Sequence, residues 1–310
     1  MKKKLQRTTR RVLPPSYPDV LALRSEASKS RCASSGSRSA SPSVASLPLP
    51  RKALGQHFLV DHNIVRKIVR LAELQPGETV LEIGPGRGIL TESLLEASGF
   101  VVAIEVDAAL CAHLRATLGD RPNFTLIEGD ALTYDYAQVP GPFLVVANLP
   151  YYISTPLLFR LLREQQRVDR LVLMLQEEVA ARLVAVPGGK DYGALSIAAQ
   201  FYCEVRQAFK VPATCFRPKP QVGSAVVALT PLPRPRVAVH DEVLFFKVVR
   251  AGFAHRRKAL VNSLRDEGFE AAKTSTALAQ TGIDPRRRAE SLSLSEFAAL
   301  TEALKGEGLM

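Results

Sequence analysis

No apolar run in the 310-residue chain approaches the roughly 18 residues that a membrane-spanning helix needs, and no continuous apolar segment follows the basic residues at its start. Neither membrane insertion nor secretion is indicated. Cysteine is scarce: Cys32, Cys111, Cys203 and Cys215 show no C-x-x-C spacing and no accompanying histidine pair. A disulfide framework and a zinc site are therefore not expected, no metal is called for, and a reducing cytoplasm fits best. What is abundant is positive charge, with 41 Lys and Arg against 30 Asp and Glu. A net charge of +11 suggests a polyanionic partner, but most of it is concentrated in one tail. Residues 1–47 carry Lys2, Lys3, Lys4, Arg7, Arg10, Arg11, Arg24, Lys29, Arg31 and Arg38 against only Asp19 and Glu26. Overall charge is thus weak evidence for nucleic acid, and local clusters in the folded part have to carry that argument.

Residues 1–47 are rich in Ser, Arg and Pro and lack periodicity, which reads as a disordered basic extension. A start codon placed too far upstream, a basic RNA-contacting arm and an organelle transit peptide all fit that composition. From Pro48 onward, short β-branched runs alternate with amphipathic stretches. Strands are expected at 79–83, 100–104, 123–127, 143–147 and 170–175, with helices at 62–74, 89–97, 107–118 and 155–166. This alternation predicts an α/β fold with a doubly wound, mostly parallel sheet over residues 48–233. Segments near 204–211 and 223–230 are expected to close the sheet edge as a hairpin. Pro231, Pro233 and Pro235 then interrupt the pattern, and helical spacing at 243–254, 258–266 and 293–304 predicts a small all-helical C-terminal domain, 234–310.

The run Glu82-Ile83-Gly84-Pro85-Gly86-Arg87-Gly88 leaves a strand and opens a helix, the place where such sheets bind ligands. Taken alone it is equally a tight turn. Glu105 ends the next strand, where a carboxylate can accept from both hydroxyls of a ribose, and Asp130 follows the third, placed to accept from an adenine amino group. A dinucleotide dehydrogenase shares these features. It needs G-x-G-x-x-G to seat a pyrophosphate on the helix N-terminus, whereas this turn reads G-x-G-x-G with Glu92 in the following helix. A cofactor without phosphate, S-adenosylmethionine, suits it better.

The fourth strand runs into Asn148-Leu149-Pro150-Tyr151-Tyr152-Ile153-Ser154. The amino nitrogen of adenine is a poor nucleophile because its lone pair is delocalised into the ring. Two acceptors gripping its hydrogens favour a pyramidal nitrogen, and the Asn148 side-chain oxygen with the Pro150 carbonyl can supply them. Tyr151 offers an aromatic face for the base. No metal or general base is required, since the donor leaves as a neutral thioether and the methylated amine sheds its proton to water. Catalysis is then mostly alignment. The base has to leave its stack to reach this loop, so a single-stranded or loop adenine is expected.

With these motifs the sequence resembles the KsgA/RsmA small-subunit rRNA adenine dimethyltransferases, relatives of the Erm resistance methyltransferases, over about residues 51–304. The markers are R-K-A-L-G-Q-H-F-L (51–59), E-I-G-P-G-R-G (82–88), I-E-V-D (104–107), G-D-A (129–131), N-L-P-Y-Y-I-S-T-P (148–156) and F-R-P-K-P-Q-V-G-S-A-V (216–226). The resemblance implies a Rossmann-like class I S-adenosylmethionine-dependent methyltransferase fold. It puts cofactor contacts on His57, Leu59, Gly84, Glu105, Asp130 and Asn148, a catalytic loop on Asn148, Leu149, Pro150 and Tyr151, and a base-stacking ring on Phe216. His57 and Tyr152 stand where the most familiar form of the motifs has Asn. The implied reaction is N6,N6-dimethylation of two adjacent adenines in the 3′-terminal hairpin loop of 16S rRNA, within the small subunit or its precursor, by a monomer that contributes to subunit biogenesis.

Arg250, His255, Arg256, Arg257, Lys258 and Arg265, followed by Arg286, Arg287 and Arg288, form the basic clusters of the folded part. Of these, Arg250, Arg256, Arg257, Lys258, Arg286 and Arg287 are the candidate rRNA contacts; a solvated helix face is the plain alternative. F-A-H-R-R-K-A-L-V-N-S-L and G-I-D-P-R-R-R-A-E-S-L resemble the KsgA C-terminal domain rather than Erm. The competing functions are 23S rRNA methylation, DNA adenine methylation, whose loop usually reads D/N-P-P-Y without Leu149, and a largely non-catalytic assembly factor.

Overall fold

The computed structural model describes residues 47–51 and 54–306. The expected 1–47 extension lies, but for Leu47, outside them. After a two-residue strand β1 (Phe58–Leu59), helix α1 (His62–Ala72) starts on Asp61, whose carboxylate accepts from the Asn63 N–H at 2.8 Å. Ile64, Val65, Ile68 and Ala72 are its buried stripe. Strand and helix then alternate: β2 (Thr79–Ile83), α2 (Ile89–Ala97), β3 (Phe100–Glu105), α3 (Ala108–Leu118), β4 (Phe124–Glu128), β5 (Phe143–Asn148), α4 (Ser154–Arg163) and β6 (Val168–Gln176). The chain goes on through α5 (Glu177–Val184), α6 (Ala194–Tyr202), β7 (Cys203–Val211), β8 (Phe216–Arg217) and β9 (Ser224–Pro231).

Seven strands form one sheet in the order β4-β3-β2-β5-β6-β9-β7. The first five are mutually parallel, and β9 pairs antiparallel with both β6 and β7. The expected hairpin pairing is present, from Cys203 opposite Pro231 to Val211 opposite Ser224. Its connection also supplies β8, which pairs with β1 as a separate ribbon, Leu59 opposite Phe216. The central strands are apolar and buried on both faces, as parallel strands covered by helices have to be.

Four helices complete the chain: α7 (Glu242–Ala254), α8 (Leu260–Asp266), α9 (Ala271–Gln280) and α10 (Leu294–Gly306). Aromatic packing joins them to the sheet layer. Phe201 of α6 stacks on Phe245 of α7, with ring centroids 4.9 Å apart, and meets Phe246 edge-on. The Ser263 hydroxyl ties α8 to α7 by donating to the Ala251 carbonyl at 2.8 Å. Among the described residues no helix is long and apolar enough to cross a membrane.

Candidate active site

A cleft opens where β2, β3 and β5 end, with residues 54–59 along one side. The Gly84 N–H carries the pairing of β2 with β3 one residue further, donating to the Ile104 carbonyl at 2.9 Å, and the turn that follows is closed by the Gly88 N–H donating to the Pro85 carbonyl at 3.0 Å. Gly86 has φ of 60°, and a Cβ there would come within 3.1 Å of the Phe58 ring. Only a bare backbone therefore fits under Phe58.

Glu105 is buried at the end of β3. Its carboxylate accepts from the N–H groups of Val106 (2.9 Å), Asp107 (3.0 Å) and Gly86 (3.2 Å). Burial pushes its pKa up and these three donors oppose the rise. The adjacent Asp107 caps α3 through Ala109 N–H and also receives Gln56 Nε2 at 3.0 Å and Arg51 Nε at 3.3 Å. Residues 51 and 56 are thereby fastened to the β3–α3 corner.

Asn148 ends β5, and its Nδ2 donates to the His57 carbonyl at 3.5 Å, which leaves its side-chain oxygen as the outward acceptor. The next residue, Leu149, is buried and its N–H is bonded to the Met174 carbonyl of β6, so the Asn148–Tyr151 loop departs from a fixed point. The Pro150 carbonyl accepts from the Ile153 N–H at 3.2 Å, closing a turn and keeping one lone pair. Tyr151 is held by a 2.7 Å hydrogen bond between its hydroxyl and Ser224 Oγ, and its ring lies 5.6 Å from that of His57. His57 Nδ1 donates to the Pro218 carbonyl at 2.8 Å. Tyr152 is half exposed at the mouth.

Of the residues singled out in the sequence, His57, Leu59, Gly84, Glu105, Asn148, Leu149, Pro150 and Tyr151 line this cleft together. Asp130 is not among the lining residues; its Oδ1 accepts from Leu132 N–H, and the Tyr152 pKa is raised chiefly by burial, with the charges of Asp130 and Glu105 adding to the rise. Phe216 is fully enclosed in the core, so neither face of its ring is open to a base in this arrangement. Glu82 was read only as part of the glycine motif. It is 1% exposed, lines the cleft, has an unpartnered Oε2, and burial drives its pKa to about 8. Its signal in the sequence is a single carboxylate inside the apolar strand TVLEI.

The basic residues of the C-terminal helices divide into two kinds. Arg287 is structural: it pairs with Glu296, holding that carboxyl down to about 2, and donates to the Ser291 carbonyl at 2.6 Å. Arg256 donates to the Lys190 carbonyl and lies 3.7 Å from Glu290. Lys258 pairs with Asp266 at 2.6 Å and Arg286 with Asp284 at 3.0 Å, both on the surface. Arg250 and Arg257 are exposed.

Residues 49–305 match the family described as Ribosomal RNA adenine dimethylase. The chain is 52% identical to the Ribosomal RNA small subunit methyltransferase A of Moorella thermoacetica (strain ATCC 39073 / JCM 9320), covering 83% of this chain and 93% of that protein. Among solved structures it is similar to a dimethyladenosine transferase from Plasmodium falciparum, with a TM-score of 0.71, 26% identity and coverage of 82% and 99% of the two chains. The 23S rRNA methyltransferase ErmE gives a TM-score of 0.61 at 27% identity, over 80% of this chain and 99% of that one. The match runs through every strand and helix that builds the cleft, and the chain belongs to the ribosomal RNA adenine dimethylase family.

Proposed function

We propose that this protein transfers methyl groups from S-adenosylmethionine to N6 of two adjacent adenines in the 3′-terminal hairpin of small-subunit rRNA. The observation that carries the reading is the Asn148–Tyr151 loop, which sets an amide oxygen and a proline carbonyl at the mouth of a cleft floored by Glu105. The cleft's chemistry suits an adenosyl cation: Glu105 keeps a lone pair of Oε2 for a ribose hydroxyl, Gly84 and Gly86 carry no side chain into the lining, and Glu82 is a buried carboxyl with an unused oxygen. When bound, the donor supplies an electrophilic methyl on a positively charged sulfur. Asn148 and Pro150 accept from the adenine amino group and hold its lone pair toward that methyl, while Tyr151, pinned by Ser224, presents its ring to the base. No side chain has to store the departing proton, because the methylated amine is acidic enough to lose it to water.

Residues 48–233 form the catalytic part of this reading and 234–310 the rRNA-contacting part, with Arg250, Arg256, Arg257, Lys258 and Arg286 the exposed cations for phosphate and Arg287, paired with Glu296, shaping the surface beside them. The protein acts as a cytoplasmic monomer on the small subunit or its precursor. The 52% identity to a small-subunit enzyme, against 27% to a 23S one, favours that substrate. The test is incubation with labelled S-adenosylmethionine and unmethylated small-subunit particles, then mapping of the label. Dimethylation of two neighbouring adenines is expected; label confined to 23S rRNA or DNA refutes the assignment.

A further inference from the structure

Glu82 carries none of the steps above, yet it is a carboxyl buried in the wall of the cleft. Its carboxyl is 1% exposed, Oε2 has no partner, and it borders the cleft. A buried acid left half unsatisfied is destabilising unless something else uses the vacant oxygen. The groups around it do not. On α2, the Thr91 hydroxyl is also buried and without a geometric partner, and it is the one neighbour that favours the ionised form. On β3, Glu105 disfavours ionisation by like charge. Asp107 beyond it already has Arg51 and Gln56. In the turn, Arg87 lies over the Phe58 ring, 4.5 Å from its centroid, and donates to the Pro48 carbonyl. Asn148, on the β5 side, is an uncharged amide. The only other titratable group on the lining segment 54–59 is His57, which is held by Pro218. Glu82 is therefore an acid that burial keeps protonated, bordering a cleft in which the one Lys or Arg among the described lining residues, Arg87, is turned to the Phe58 ring and the Pro48 carbonyl.

We propose that Glu82 is a further donor-binding residue whose carboxylate meets the extra positive charge of the sulfonium donor, giving up its proton as that cation enters and taking one back once the neutral thioether is left. This rests on the reading that the cleft takes S-adenosylmethionine. On entry the O–H bond of the Glu82 acid breaks and the proton goes to solvent; no other covalent bond changes. After transfer the positive charge has passed to the methylated amine, which loses its own proton to water, and Glu82 recovers a proton from solvent. Donor and spent product share their adenosyl and amino-acid parts and differ in this single charge. A pair of opposite unit charges roughly 6 Å apart at an effective dielectric near 20 is worth on the order of a hundredfold in an equilibrium. The same residue thus favours the donor over the product it becomes, and loosens the product at the end of each of the successive transfers.

The experiment is calorimetric titration of the full-length protein at pH 7 with S-adenosylmethionine and, separately, S-adenosylhomocysteine, each in two buffers of different ionisation enthalpy. Most of one proton is released with the donor and close to none with the product. Between pH 6 and 8 donor affinity rises by up to about tenfold per pH unit while product affinity stays flat. In Glu82→Gln both proton release and slope disappear. Equal proton counts for the two ligands, or an unchanged count in Glu82→Gln, overturn the proposal while leaving donor binding intact. If the wild-type protein binds neither ligand, the donor reading falls and this proposal with it.

Discussion

Replacing Glu82 by Gln stabilises the empty protein, and does so in proportion to pH. The folded pKa of Glu82 is raised from 4.5 to about 8, chiefly by desolvation, with Glu105 adding to the rise and Thr91 opposing it. A raised carboxyl pKa means that the folded state holds a proton the unfolded chain has released. The stability associated with that proton is complete below pH 4.5 and is lost as pH rises through 8. At about 1.4 kcal/mol per pH unit, the loss is roughly 1 kcal/mol at pH 5 and on the order of 4–5 kcal/mol at pH 8. An amide of the same shape does not titrate and escapes it. Urea unfolding of ligand-free wild-type and Glu82→Gln protein at pH 5 and pH 8 measures the difference directly. The gap between the two is expected to widen by several kcal/mol over that interval. A gap independent of pH shows that Glu82 ionises normally in the folded protein, and the argument from burial then fails.

Asn148→Ala removes the side-chain acceptor and is expected to lower kcat by at least roughly a hundredfold with donor binding retained, read by single-turnover methylation and calorimetry. Ser224→Ala frees the Tyr151 hydroxyl, so kcat drops by about three- to tenfold at little cost in stability, and Tyr151→Phe combined with it adds nothing further; additive losses argue against the 2.7 Å bond as the means of positioning. Gly86→Ala places a methyl against Phe58 at positive φ and costs roughly 1–3 kcal/mol in stability together with most donor affinity, as thermal melts with and without donor report. Arg287→Ala destabilises the fold by about 1–3 kcal/mol, whereas Arg286→Ala leaves stability unchanged and weakens particle binding with a reduced salt slope. The Glu296 contribution to that pair is present above pH 4.5 and lost as pH falls toward 2, so the Arg287→Ala penalty shrinks in acid.

The parallel strands were legible in the sequence because each is a short apolar run bounded by turn residues, and the helices between them show a one-sided stripe. Helices α5, α6 and α9 were not. Leu195 to Tyr202 of α6 are buried nearly all round, which erases the amphipathic period, and α9 is an Ala/Thr/Ser segment with too little contrast between its faces. A pair of two-residue strands, β1 and β8, has no period to detect. In the site, the Asn148–Tyr151 loop and Glu105 were legible because local sequence fixes both their chemistry and their place at strand ends. The isolation of Glu82, the enclosure of Phe216 and the engagement of Arg287 by Glu296 depend on partners distant in the chain or across a core, and residue types alone do not disclose them.

Asp107 makes the side wall and the floor of the cleft a single mechanical piece. One oxygen starts a helix while the other anchors Arg51 and also Gln56, which precedes Asp107 by 51 residues. Sequence separation of that size carries a loop-closure cost that only a completed β3–α3 corner can offset. The side wall of the cleft therefore depends on an intact β3–α3 corner. A defect at Gln56 would be felt at Glu105, through the Asp107 that both residues share.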